Sequence, residues 1–550
     1  MYISRAKWPS KNGKVYETIY LRESFRRDGK VCKRNVADLT HAPASVVAAM
    51  ELALKHQDDL TALGSLKDVE LLQGPSVGAV WTVCEVARRL GLERVLGGDF
   101  AGKLALWQVL ARVLEQGSRL SAVRLAREHA ARETLGLMRG FDENDLYENL
   151  GWLTDHQEKI EKKLFRLRHS DAPPTLFLYD VTSSYLEGCC NELAAYGYNR
   201  DRKSGKMQIV IGLLTDGDGT PVAVRVFEGN TPDTKTVAEQ VRTLQENFGV
   251  KETTLVGDRG MLKGPQLESL PEGFQYITAI TKPQIRTMLS EGVFQMNLFD
   301  VRLGEVEHDG LRYVLKRNPV RAAEMALSRN QRLEKLRRFL AELNKKLVDH
   351  PKASAETALA AARKKAQRYK LSGCAEITAS ERELSLTVDE AALAEIAQLD
   401  GCYALKTDLA PDAADAETIH ARYKDLAQVE RAFRTAKTAH LELRPVYVRK
   451  EASTRGHVFV VMLAYLIVSE LRRAWAAFDL TVEEGLLLLQ SISAVDLRLN
   501  GGPGRLHIPQ PGKEAAKLLS ALDLRLPKLL PAAIGRVDTH NKLPQHRNSR

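Results

Sequence analysis

Between Pro173-Pro174 and Ile280 the chain runs through an ordered series of apolar patterns that leaves few folds open. Thr175-Leu176-Phe177-Leu178-Tyr179 is almost continuously apolar, as in a strand buried on both faces. Met207 to Leu214 is a second strand, Asp216-Gly217-Asp218-Gly219 a hairpin turn, and Val222 to Phe227 a third strand. Thr231 as N-cap and Pro232 at the first helical position then open a helix. Its apolar face is Val237, Val241, Leu244 and Phe248. A fourth strand from Thr253 to Asp258, a short helix and a fifth strand from Tyr276 to Ile280 follow. Asp180 closes the first strand and Asp258 the fourth.

Three meander strands followed by parallel strands with helical crossovers predict an α/β fold with an RNase H-like catalytic core, a mixed five-stranded sheet with helices. The first and fourth strands are neighbours in such a sheet, so Asp180 and Asp258 meet at one edge. A third acid, Glu430, arrives from a helix packed across that edge. Three carboxylates without histidine or cysteine form a hard oxygen site, suited to Mg²⁺ with Mn²⁺ as a substitute. Two such ions at one site serve in-line phosphoryl displacement. Asp216 and Asp218 look like a calcium loop, but Phe227 stands where that loop needs its twelfth-position glutamate. They are read as turn residues.

The spacing of Tyr423, Glu430 and Lys437, seven apart, returns nearly to the same azimuth on a helix. Arg434 lies one turn beyond Glu430 on that side. An aromatic and two cations beside a metal-binding acid suit a DNA strand laid over the site. The same pattern also describes an ordinary charged helix face. Arg259, directly after Asp258, is read either as a phosphate contact or as an ion pair within the site. His457 is read first as a satisfied core histidine, Asp425 as a solvated acid, Thr182 and Ser183 as turn residues, and Cys189-Cys190 as a loop feature.

The 550 residues correspond to about three or four domains. Residues 1–66 read as a β-hairpin region with a turn at Asp28-Gly29 and a linker helix after Pro43. Residues 67–170 read as a helical domain, either DNA-binding through Arg112, Arg119, Arg124, Arg127, Arg132 and Arg139 or, with no helix-turn-helix signature, a plain helical linker. The core occupies 171–281 and resumes over 401–480. There a strand at Cys402–Lys406 precedes a helix from Ala416 to Ala439 with Asp415 as N-cap, and a core helix from Gly456 to Trp475. The insertion, 282–400, holds a hairpin about Asp309-Gly310 and two basic helices, Arg321 to Val348 and Ala353 to Tyr369. Residues 481–550 form a C-terminal helix and a basic tail, partly irregular from Pro503.

Net charge is +10, and its distribution says more than its total. Lys316 to Lys370 has 16 Lys+Arg against 5 Asp+Glu, Met1 to Asn35 has 10 against 3, and Lys528 to Arg550 has 5 against 1. Those segments carry +22, which leaves the rest at −12. Basic surfaces on a mildly acidic body are the electrostatic footprint of a nucleic-acid binder. With 44% hydrophobic and 27% charged residues, the chain is neither disordered nor collagen-like. The longest apolar run, Val458 to Val468, is eleven residues, against about 20 for a bilayer, so no membrane partner is expected. The N-terminus has no apolar signal core. Six cysteines without a C-x-x-C pair fit reduced cytosolic thiols.

Tyr423-x₂-Leu426-x₃-Glu430-x₆-Lys437 resembles the Y-x₂-R-x₃-E-x₆-K signature of bacterial insertion-sequence transposases of the DDE class, in the retroviral-integrase superfamily. Tyr179-Asp180-Val181-Thr182-Ser183 is similar to their first-aspartate motif and Val256-Gly257-Asp258-Arg259-Gly260 to their second. Gly229-Asn230-Thr231-x-Asp233 and the stretch from Arg444-Pro445 to His457 match as well. The resemblance covers about 170–475. It implies a catalytic, metal-binding triad of Asp180, Asp258 and Glu430, with Tyr423 and Lys437 on the DNA backbone. It also implies an insertion domain between Asp258 and Glu430, whose basic helices hold transposon ends. The signature arginine is Leu426 here, and Arg422, Arg431 or Arg434 are left to take its place. The expected activity is cut-and-paste transposition in the bacterial cytoplasm. The protein would be bound to the nucleoid when on DNA and a homodimer when it holds two ends. The alternatives are another RNase H-like endonuclease and a non-catalytic DNA-binding protein derived from a transposase.

Overall fold

The computed structural model describes all residues except 10–14, 28, 57–68, 171, 202, 439, 440, 445, 500–503, 532–536 and 541–550. Asp28, Pro445, Pro503 and most of the basic tail therefore lie outside the described residues. The chain forms two compact units, one of Met1–Glu85, Val123–Asp142 and Leu471–Arg550, the other of Val86–Ala122 and Glu143–Glu470. The block 67–170 is thus divided between them.

In the first unit, strands Tyr2–Pro9, Val15–Arg27 and Lys30–Asp38 form an antiparallel sheet. Gly29 in the second turn has φ +73°, which glycine adopts without a Cβ penalty. The helix after Pro43 spans Ala44–Lys55. A further sheet of Val69–Ser76, Ser493–Leu499 and Arg505–His507 was not foreseen. It joins segments more than 400 positions apart, a pairing that no local pattern announces.

The second unit is built on an eight-stranded mixed sheet. Its strands are β1 (Leu176–Tyr185), β2 (Gln208–Asp216), β3 (Pro221–Phe227), β4 (Thr253–Gly257), β5 (Phe274–Ala279), β6 (Gly304–His308), β7 (Leu311–Arg317) and β8 (Cys402–Thr407). The order is β6-β7-β8-β5-β4-β1-β2-β3. β1 pairs antiparallel with β2 and parallel with β4, β2 antiparallel with β3, and β4 parallel with β5. That is the RNase H-like arrangement of the five expected strands, extended by three antiparallel ones. β1 does not end at Asp180 but continues five residues further, because Asp180 to Tyr185 stay paired with Leu213 to Gln208.

Alternation along β1 sorts the two faces of the sheet. Phe177, Tyr179 and Val181 enter one core with Val210, Leu214, Leu255 and Phe165, the last from helix α1 (Glu143–Arg168). Helix α2 (Asp233–Arg242) adds Val237 and Val241, and the π turn Thr243–Asn247 adds Leu244. That wider turn keeps Phe248 on the core, stacked 4.3 Å from Phe165. Each such buried side chain contributes about 1.5–3 kcal/mol. Thr231 does not cap α2. Pro232 occupies the N-cap position and makes no side-chain capping bond. Asp180, between Tyr179 and Val181, therefore points to the opposite face.

That opposite face is covered by helices α3 (Ala416–Lys424), α4 (Leu426–Lys437) and α5 (Glu451–Ala474). α4 packs on β1 and β2. Ala432 and Phe433 of α4 meet Ile211 and Leu213 of β2 and Val458, Val461 and Tyr465 of α5. Asp415 caps α3, accepting from Thr418 N at 2.8 Å. The single helix expected over 416–439 is interrupted at Asp425, which ends α3 and caps α4 without a side-chain bond. α5 is long and apolar enough to cross a membrane, and 78% of its apolar window is buried, as in a core helix.

The insertion has two parts. The β6–β7 hairpin turns at Asp309-Gly310, both with positive φ, and extends the sheet through β7 and β8. Helices Pro319–Asp349 and Ala355–Arg368 and the hairpin Ala375–Ser380/Glu383–Val388 form a separate core around Leu333, Leu336, Leu340, Ala362 and Ile377. That hairpin and the helix Glu390–Gln398 are additions to the sequence reading.

Candidate active site

The parallel ladder between β1 and β4 has its last rung at Tyr179 opposite Gly257. Asp180 and Asp258 are the next residues on the two chains, so the ladder itself sets them side by side. Asp180 Oδ1 accepts the Val181 N–H at 2.7 Å and Asp258 Oδ1 the Arg259 N–H at 2.8 Å. On α4, Leu426, Val429 and Phe433 are buried, which leaves Glu430 exposed beside β1.

Electrostatics ties the three acids together. Burial, and then repulsion from Asp258 and Glu430, pushes the Asp180 carboxyl up to about 7, against the Val181 hydrogen bond and the Arg200 charge. The Tyr423 hydroxyl is raised by burial and by the same acids, Asp258, Glu430 and Asp180, with Arg259 opposing. Tyr423 and Arg259 thus stand at the carboxylates, although Tyr423 belongs to α3 and Glu430 to α4. Arg259 and Arg434 are exposed.

Two expectations are corrected. Lys437 is not a free cation on the α4 face. Its Nζ donates to Ser183 O and to Asp201 Oδ1, the latter at 3.0 Å, and its side chain is 9% exposed. Asp201 also accepts from Arg444 and from Tyr185 N. The arginines Arg112 and Arg119, expected on an exposed DNA-docking surface, are buried instead, and Arg119 bonds His457 at 3.1 Å. His457 is a buried histidine whose side chain bonds Arg119. Leu426 is buried at the start of α4, so a packing residue fills the place of the signature arginine.

Sequence reasoning assigned no role to Arg200, Asp201 or Asp233. Arg200 Nη2 donates to Asp233 Oδ2 at 2.5 Å and its charge is felt by Asp180. A Cβ at Gly260 would lie 3.7 Å from Asp233 Oδ2 and 3.8 Å from Asp258 Oδ2, so those two carboxylates flank Gly260. The Gly229-Asn230-Thr231-x-Asp233 motif was the available signal for Asp233. Arg200 lies in a loop with no periodicity to mark it.

No three His, Cys, Asp or Glu side chains among the described residues stand close enough together to clasp a metal ion as they are placed. The donor chemistry nevertheless fits one. Burial and the charges of Asp258 and Glu430 raise the Asp180 carboxyl in spite of Arg200, so the group favours a cation beside it.

An RNase H-like sheet bearing an acid at each of these positions defines a nucleic-acid-processing enzyme. The chain belongs to the DDE transposases of insertion sequences: residues 171–467, more than half of it, match the Transposase DDE domain family. Residues 6–65 match the IS1634 family transposase N-terminal domain. Members of this class cut DNA and work with divalent metal ions. Among solved structures, the cryo-EM structure of a piggyBac transposase synaptic complex with hairpin DNA is 11% identical, covers 70% of this chain and 69% of that one, and superposes with a TM-score of 0.33. No conclusion is drawn from a likeness at that level. No curated protein matches the chain.

Proposed function

We propose that this transposase binds the terminal inverted repeats of its insertion sequence, cleaves the strand at each end and joins the freed 3′-hydroxyl to target DNA. The observation that supports this most is that β1, the end of β4 and α4 bring Asp258 and Glu430 near enough to Asp180 to raise its carboxyl. Those three acids would hold the metal, two Mg²⁺ per site with Mn²⁺ as a substitute. Bound there, the ions neutralise charge that builds on the scissile phosphate. The rest is done by the chain's own residues. Tyr423 and Arg259 border the acids, where a passing backbone phosphate meets a hydroxyl donor and a guanidinium. Arg434 extends that cationic rim along α4. Lys437, Asp201 and Arg444 brace α4 against β1 and so fix where Glu430 stands. The basic helices of the insertion grip the transposon end through phosphate contacts. Joining both ends to one target requires two active sites, hence a homodimer on DNA. The setting is the bacterial cytoplasm, with the protein on the nucleoid when bound.

The test is incubation of purified protein with labelled element ends and Mg²⁺. End cleavage and strand transfer are expected, and Asp180→Asn, Asp258→Asn and Glu430→Gln each abolish both while DNA affinity is kept. Wild-type protein that binds ends yet never cuts, with Mg²⁺ or Mn²⁺, would sink this reading and favour a non-catalytic DNA-binding role.

A further inference from the structure

The second unit contains a cavity of about 560 Å³ that the carboxylate site does not use. Arg112 and Arg119 line it, and they are 5% and 4% exposed. Their hydrogen bonds go to neutral groups. Arg112 Nη2 donates to the Gly117 carbonyl at 2.9 Å, and Arg119 Nη2 lies 3.1 Å from His457 Nδ1. Arg112 Nε is buried without a hydrogen-bond partner among the described residues. Burial, then the charges of Arg112 and Arg119, holds His457 well below its usual range, so it is neutral and accepts. Burial pulls Arg112 down to about 10, with Glu442 as an opposing charge; burial and Arg112 pull Arg119 down to about 9. Arg449 and Lys450 are exposed at the mouth with Glu148 and Glu442, so cations outnumber acids four to two.

Two adjacent guanidinium groups out of water, with no ion-paired carboxylate among the described residues, form an arrangement that an anion completes. The guanidinium fork matches phosphate oxygens in particular. The cavity also adjoins the end of β1 that lies beyond Asp180. Val446 N donates to Tyr185 O at 3.1 Å, and Tyr447, next in the chain, lines the cavity. Tyr185 lies five residues beyond Asp180 on β1, roughly 17 Å at about 3.3 Å per residue. Phosphates recur about every 3.4 Å along one strand of a duplex, so the distance is about five nucleotides.

We propose that the Arg112–Arg119 cavity is a phosphate-binding site and that its occupant is a backbone phosphate of the bound DNA strand, several nucleotides from the cut. The choice of DNA over free phosphate rests on the function proposed above.

The experiment uses the full chain in two arms. In the first, the melting temperature is measured in inorganic phosphate and in chloride of equal ionic strength. Phosphate is expected to raise it for the wild type and not for Arg119→Gln. In the second, affinity for an element-end duplex is followed against salt. Arg112→Gln and Arg119→Gln are each expected to flatten the slope of log K against log salt by about one and to weaken binding about tenfold at 150 mM salt. Arg119→Lys should recover most of the affinity. A phosphate-dependent melting shift with unchanged DNA slopes would replace DNA by a free phosphate compound and overturn the assignment of the occupant. No shift and no change in slope would overturn the site. The wild-type melt in the first arm tests the site by itself, so a variant that fails to fold does not silence it. Loss of cleavage by the wild type, with these slopes as expected, would remove the catalytic reading and leave the cavity's assignment standing.

Discussion

Asp180 and Asp258 each stand one residue past the last rung of a parallel ladder, Tyr179 opposite Gly257. Their proximity is therefore a property of backbone register and not of side-chain adjustment. Two carboxylates so placed, with Glu430 beside them, raise the proton affinity of the most buried of the three, Asp180.

The consequence for stability has a definite sign. Asp180 has its carboxyl raised from 3.8 to about 7 in the folded protein, so the folded state binds the proton more tightly than the unfolded one. Stability is lost as pH rises from about 4 through about 7, and the full cost, on the order of 4 kcal/mol, applies above that. In EDTA, Asp180→Asn should raise the melting temperature by a few degrees at pH 8 and leave it unchanged at pH 4. An equal gain at both pH values would mean that packing, and not charge, is the cause.

Lys437 and Asp201 supply a second prediction. The Asp201 side chain is 2% exposed and holds Lys437, Arg444 and the Tyr185 N–H. Asp201→Asn leaves two cations facing a neutral amide and should cost about 3–5 kcal/mol. Lys437→Met should lower the melting temperature by less, reduce cleavage through misplacement of Glu430, and leave the salt dependence of DNA binding unchanged. A flattened salt slope at an unaltered melting temperature would instead show Lys437 to be a DNA contact.

Local patterning was enough to read the five-strand order and to put an acid on β1, one just past β4 and one on α4. Apolar runs, turn glycines and helical spacing are short-range signals, and the RNase H-like core is made of them. Spacing misled where it assumed one continuous helix, since Asp425 divides Tyr423 from Glu430. It misled again on the exposure of Lys437, Arg112 and Arg119, because a cation in a sequence looks the same whether it faces solvent or is buried. The pairing of Val69–Ser76 with Ser493–Leu499, and the addition of β6 to β8 to the sheet, depend on contacts between distant segments. Neither leaves a local trace.

Gly212 on β2 sets how closely Tyr179 lies against the sheet. A Cβ there would fall 2.3 Å from the Tyr179 hydroxyl and 3.0 Å from its ring. Gly212→Ala should therefore destabilise the protein by about 1–3 kcal/mol and disturb the residue next to Asp180. Tyr179→Phe removes the nearest clashing atom, so the double variant should recover part of that loss. Equal unfolding curves for wild type and Gly212→Ala in urea would contradict the contact.

The insertion leaves and rejoins the sheet at one point. Arg317 pairs with Cys402, Asn318 N donates to Gly401 O at 2.9 Å, and Gly401 has φ +72°. A Cβ at Gly401 would lie 2.3 Å from the Asn318 carbonyl, so glycine is required at that neck. Residues 319–400 can therefore be replaced by a short linker with β6, β7 and β8 intact, whereas excision from 282 would strip two strands from the sheet. The shorter deletion should give a cooperative melt. It also removes most of the segment that has 16 Lys+Arg against 5 Asp+Glu. Binding to element ends at 150 mM salt should then weaken at least tenfold, with a flatter dependence on salt. An unchanged affinity in a folded deletion protein would show that the ends are held elsewhere on the chain.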